Sequence, residues 1–280
     1  MKNNSVALFS LLGVFLLSGL PTLPSAASSA LDDRVDKNII DHETLCGIGR
    51  SKRCDIKIAI KLGLFETGLR PQFPKGLNCR DIDEQWAISY RAKRGRENYH
   101  GGIDMPAPYG TPMIAAADGT VVSVSRGEKS FRGKEIIVRH SSEQTGIPGY
   151  WIYTQYAHFD VMPDLKVGDK VKMGDKLGPT GNSGIGRNGK QSGKRRPAIH
   201  FAVWFAKSPQ YALTHGKLIP AKGLWMDPNA LYRQKEPFDS YALKALPEAE
   251  KKIAIPVMLE NGKFIPANTK LIWPYACKGS

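Results

Sequence analysis

Three regimes of hydrophobic patterning divide this chain. Val6 to Leu20 is a mostly apolar run behind Lys2 and ahead of the small residues of Pro21–Ala30. A basic, then apolar, then small-residue order predicts an export signal over 1–30, cleaved after Ala27 or Ala30. At 15 residues, with Gly13 and Gly19 inside it, the run is short for a membrane span; an uncleaved anchor is the alternative. From Asp32 to Tyr90 the pattern is mixed. Ile56, Ile58, Ala59, Ile60, Leu62 and Leu64 alternate with lysines closely enough to predict a short helix between Cys54 and Leu64. Phe65–Asn78, rich in Gly and Pro, reads as loop.

From about Ala92 the texture changes to short strands and turns. Pro112–Ala117, Asp118-Gly119 and Thr120–Val124 together predict a hairpin. Glu135–His140, Tyr150–Ala157 and Ala198–Phe205 are β-branched and aromatic and read as further strands. The whole implies a mainly β chain with an antiparallel core and a small, mixed or helical N-terminal region. Lys166-Val-Gly-Asp-Lys-Val171 is followed at once by Lys172-Met-Gly-Asp-Lys-Leu177, two tight Gly-Asp turns flanked by apolar residues. Lipoyl carriers use such turns, but they present a modifiable lysine at a hairpin tip, and no such tip is found. Gly181–Pro197 is glycine-rich and basic. Gly189-Lys190-Gln191 fails the Gly-Lys-Ser/Thr test of a phosphate-binding loop, so the segment reads as a mobile surface loop. A second hairpin is expected around Asn261-Gly262.

Composition sharpens this picture in two respects. All four cysteines, Cys46, Cys54, Cys79 and Cys277, follow the export signal, which favours disulfides. Three pairings exist; Cys46–Cys54 as a local clasp and Cys79–Cys277 as a tie between distant segments is the favoured one. A cysteine zinc site is disfavoured by the lack of a C-x-x-C pair. The net charge is +14, and 166–196 holds nine Lys/Arg against two Asp. In an exported protein that points to anionic wall or envelope polymers, with a merely solubilising surface as the plain alternative. Nucleic acid is disfavoured, since no reader motif is present.

The candidate chemistry lies in Tyr99-His-Gly-Gly-Ile-Asp104 and Ala198-Ile-His200-Phe201. Two imidazoles and a carboxylate make a three-ligand zinc set with one position left open. Gly101 and Gly102 let the His100 and Asp104 side chains turn toward one point. His140 reads as a surface or hydrogen-bonded residue, His42 and His215 as solvated, and Trp151, Trp204, Trp225 and Trp273 as core.

His100-Gly-Gly-Ile-Asp104, Pro106, Gly110-Thr-Pro112, Ala115–Val121, Tyr156-Ala-His158, Val167–Val171, Gly174, Leu177-Gly178, Thr180-Gly-Asn182 and His200-Phe201 occur in that order. The ordered set resembles the lysostaphin-type (LytM-like) zinc endopeptidases of bacterial cell walls over about 95–206. The resemblance implies their duplicated antiparallel β core, zinc held by His100, Asp104 and His200, and His158 as a catalytic residue that does not bind the metal. It implies hydrolysis of peptidoglycan peptide bonds by an exported protein, periplasmic or secreted. The expected organisation is a signal peptide at 1–30, an N-terminal region at 31–90, a peptidase core at 91–232 and a C-terminal extension at 233–280. One position departs from the pattern. Ala198 stands where the family has a second catalytic histidine, which implies reduced activity, a substitute group such as Arg195, Arg196, Tyr153 or Tyr156, or a non-cleaving wall-binding or amidase-activating relative that retains zinc.

Overall fold

A computed structural model describes residues 1, 31–51, 53–127, 129–186 and 195–279. The stretch expected to be an export signal, apart from Met1, and the centre of the glycine-rich 181–197 segment lie outside the described residues. Among those described, no helix is long and apolar enough to cross a membrane.

The chain is mainly β, and its centre is a seven-stranded antiparallel sheet. The strands run in the order Leu224–Met226, Ala198–Ala206, Trp151–Ala157, Glu135–His140, Gly119–Ser125, Lys170–Val171. Ile103–Pro106 pairs with the first half of Ala198–Ala206, on the edge whose second half Leu224–Met226 occupies. All nine residues of Ala198–Ala206 are buried. That follows from cover on both faces, which is why its sequence reads as a continuous apolar run. On one face Tyr156 meets Phe201 edge-on, 5.3 Å between centroids. On the other Trp204 packs on Trp225, whose indole N–H donates to the Gly47 carbonyl at 3.0 Å. A helix, His42–Gly49, therefore roofs the face that carries His200.

The helix starts where Asp41 accepts from the Thr44 N–H at 2.8 Å and stops where Arg50 turns left-handed at φ 46°. A second helix, Ile56–Lys61, lies inside the stretch expected to be helical. Cys46–Cys54 and Cys79–Cys277 are both bonded. Within Phe65–Asn78, expected to be loop, Arg70–Gln72 and Leu77–Asn78 are short strands. Their partners are Lys252–Ala254 and Lys278–Gly279, far along the chain.

The expected hairpin at 112–124 does not form. Its strands exist, but Pro112–Ile114 pairs with Lys176–Pro179 and Gly119–Ser125 with Glu135–His140 and Lys170–Val171. Gly119 is not the tip of a turn: a Cβ there would lie 2.5 Å from Val138 and 2.6 Å from His140. The Asp-Gly pair answers close approach of a neighbouring strand rather than reversal of the chain. The two Gly-Asp repeats do form matching turns. Asp169 accepts from Lys166 N–H at 2.8 Å and Asp175 from Lys172 N–H at 2.7 Å, with Gly168 and Gly174 at φ 102° and 89°. The hairpin around Asn261-Gly262 is present, Val257–Met258 against Phe264–Ile265.

Candidate active site

His200 sits in the Ala198–Ala206 strand directly across from Asp104 in Ile103–Pro106 and from Ala157 on its other side. His100 reaches the same point from the loop before Ile103. Nε2 of His100, Oδ1 of Asp104 and Nδ1 of His200 form a triangle of 3.1, 3.0 and 3.1 Å sides, and all three residues are buried. A tetrahedral ion with bonds of about 2.0–2.1 Å needs ligand atoms about 3.3 Å apart, so the donor set fits such an ion with little movement. Nδ1 of His100 lies 3.0 Å from the Gln85 carbonyl oxygen, which fixes that ring with Nε2 facing the trio. Among the described residues this is the one cluster of His, Cys, Asp or Glu with metal-ligand geometry.

The loop is held from outside. His100 N–H donates to Ile88 O, Gly101 N–H to Trp86 O, and Asp104 N–H to Glu84 O at 3.1 Å. Arg50, half-buried, donates from Nη1 to the carbonyls of His100, at 3.0 Å, and Tyr99. The N-terminal region is thus part of the site's framework. Sequence reading missed this role for Arg50 and for 83–88, since nothing local marks residues whose partners lie 12 to 50 positions away.

His158 follows the Trp151–Ala157 strand at φ 71°, a left-handed conformation unusual for a residue with a side chain. Its ring centroid is 5.9 Å from that of His200. Nδ1 is 2.8 Å from Ser183 O. Nη1 of Arg195 donates to Phe131 O at 2.9 Å and approaches the His158 nitrogens at 2.9 and 3.4 Å. Of the groups named as substitutes for the absent histidine, Arg195 is at the site. Arg196 is held by Asp83, with Nη1 3.5 Å from Asp104 Oδ2. Tyr153 and Tyr156 are not placed to substitute, because their hydroxyls bond to Pro209 O and Ala116 N–H. Ala198 is buried, two residues from His200 on the same strand face, opposite Pro106.

Burial, then the Arg195 charge, pulls His158 down to about 3, so its ring is neutral at working pH. Burial likewise takes His200 down to about 4. Asp104 is pulled up by burial, but His100 and His200 together outweigh this and hold it well below the usual carboxylate range. His140 is buried, with nitrogens 2.6 Å from Asp118 O and 2.8 Å from Thr154 Oγ1; it is a hydrogen-bonded strut of the sheet. His42 and His215 are exposed, and Trp204, Trp225 and Trp273 are core, whereas Trp151 is only half-buried.

Residues 98–212, which take in His100, Asp104, His158 and His200, match the model of Peptidase family M23. Over this stretch the chain is similar to that peptidase family. It is 32% identical over 108 residues to an uncharacterized metalloprotease of Buchnera aphidicola, 39% of this chain and 24% of that protein. It is 34% identical over 90 residues to the peptidoglycan DD-endopeptidase ShyC of Vibrio cholerae, 32% of this chain and 18% of ShyC. The chain thus spans about a quarter or less of the length of these relatives. Among solved structures, a mutant catalytic domain of the prophage-encoded M23 protein EnpA from Enterococcus faecalis aligns at 25% identity and a TM-score of 0.32. That alignment covers 48% of this chain and 85% of EnpA's domain.

Proposed function

We propose that this chain is an exported zinc endopeptidase that hydrolyses peptide bonds of bacterial peptidoglycan. The observation that carries the reading is the triangle of His100, Asp104 and His200 donor atoms, with the His158 ring beside it. Nitrogen and carboxylate donors in this number hold a divalent transition metal and leave room for a further ligand. Zinc, when bound, supplies Lewis-acid polarisation of a scissile carbonyl and lowers the pKa of a water toward neutrality.

The rest of the chemistry falls to side chains of the chain itself. His158, neutral, is suited to take a proton from an attacking water and pass it to the leaving amine. Arg195 sets a fixed positive charge beside that ring, where it offsets negative charge developing on the carbonyl oxygen. The Ser183 carbonyl orients His158. That relatives such as ShyC are named as peptidoglycan endopeptidases supports peptidoglycan as the substrate here. The lysines and arginines of 166–196 would add attraction to anionic wall polymers.

Ala198 favours a second reading, a wall-binding or amidase-activating protein that keeps its metal and does not cut. One experiment separates them. The purified full chain is assayed for zinc by mass spectrometry and incubated with muropeptides, with and without chelator. Stoichiometric zinc with chelator-sensitive cleavage is expected. Stoichiometric zinc without any cleavage product would replace the first reading by the second.

A further inference from the structure

Next to the metal trio lies a cleft of about 540 Å³ whose walls carry Lys93, Arg94, Arg96, Arg195 and Arg196 against only Asp83 and Glu84. Both carboxylates are already engaged. Glu84, buried, receives Lys93 Nζ at 2.7 Å and Arg94 Nη2 at 3.0 Å, and Asp83 receives Arg196. Among the described residues Arg96 and Arg195 have no carboxylate at ion-pair distance. The Arg96 guanidinium is held over the rings of Tyr90, at 4.5 Å, and Phe131, at 5.6 Å, and its buried Nε has no hydrogen-bond partner. Two guanidiniums fixed by aromatic rings and backbone carbonyls, partly out of water and without a direct ion-pair partner, form a preorganised fork for an oxyanion.

We propose that this cleft is a subsite for a free carboxylate on the peptide substrate, carried by the residue beside the scissile bond. The inference rests on the peptidase reading above. Position decides for a substrate carboxylate over a polymer phosphate. Arg195 reaches His158, and Arg196 lies 3.5 Å from Asp104, so an occupant of the cleft abuts the reacting centre. A peptide lying across the trio delivers its neighbouring residue there. A polymer phosphate would have to bring its own backbone through the site. Peptides carrying a carboxamide at that position would bind weakly, because neither guanidinium would be neutralised.

The test uses the full-length protein, with and without zinc, and two probes, N-acetyl-D-alanyl-D-alanine and its C-terminal amide. Calorimetry is expected to show the free acid binding about ten-fold or more tightly than the amide, since charged hydrogen bonds are at stake. The preference should persist in chelator-treated protein, disappear in Arg96→Gln and return in part in Arg96→Lys, with melting curves showing each variant folded. Equal affinity for acid and amide overturns the proposal, as does a preference that Arg96→Gln leaves intact. So does inorganic phosphate binding that the acid fails to displace, which would assign the cleft to phosphate. A retained preference without cleavage of any muropeptide supports the subsite and counts against hydrolysis alone. Cleavage of acid and amide substrates at equal rates counts against the subsite alone.

Discussion

A methyl group on Gly102 would lie 2.5 Å from Cε1 and Nε2 of His200 and 2.9 Å from the Phe201 carbonyl oxygen. The glycine is there because the His200 ring lies flush against the backbone of the loop that carries His100. Gly102→Ala is therefore expected to push that ring out of the triangle and lower zinc affinity by about ten-fold or more while the β core persists, as read by competition with a chelating dye. Replacing a ligand outright, as in Asp104→Asn or His200→Ala, should remove both stoichiometric zinc and cleavage. His158→Ala should keep the zinc and lose kcat by about 10²–10⁴-fold. Restoring the histidine, Ala198→His, should raise kcat by about 10²-fold with little change in KM, because it adds a group on the His200 face of the strand that acts on the reaction rather than on binding. No gain in kcat would show that Arg195 already fills that place.

At the scale of elements, three long strands were readable nearly to their ends, since Glu135–His140, Trp151–Ala157 and Ala198–Ala206 bury almost every side chain. What those apolar runs do not encode is the partner. The 112–124 segment has the alternation of a hairpin, yet both its strands pair elsewhere, because the two Gly-Asp turns deliver Lys170–Val171 and Lys176–Pro179 to their edges. Asp118 joins the systems by accepting from Met173 N–H and Lys172 Nζ, each at 2.9 Å. His140, in the same sheet, gives the fold a pH dependence. Burial lowers it to about 4, against 6.5 when exposed. The unfolded chain takes up a proton near pH 6.5 while the folded chain resists to about pH 4. Acidification through that window therefore favours unfolding, by about 3 kcal/mol in full. Urea melts between pH 7 and pH 4 should show this slope, and His140→Gln should make it shallower.

For the molecule as a whole, the candidate trio that the fold brings together was legible and its support was not. The spacing of His100, Asp104 and His200 is by itself a weak mark; the ordered motifs around them made the trio readable. Arg50, Glu84 and Trp86, whose side chain or carbonyls hold that loop, have no such mark, and neither does Arg96, which sits in the basic run Arg91-Ala-Lys-Arg-Gly-Arg96. The disulfides differ in reach. Cys79–Cys277 spans a separation of 198 residues and Cys46–Cys54 one of 8. On loop entropy alone the first stabilises by about 5 kcal/mol and the second by about 2.5. Cys79→Ser with Cys277→Ser should thus lower the urea midpoint more than Cys46→Ser with Cys54→Ser. The long bridge also sets an order of events. Synthesis runs from the N-terminus, so Cys79, only a few residues ahead of the segment that clamps the His100 loop, waits for residue 277 before it is secured. The candidate site is then among the last parts of the molecule to become rigid, and on the peptidase reading proposed above a nascent or thiol-reduced chain is expected to be inactive.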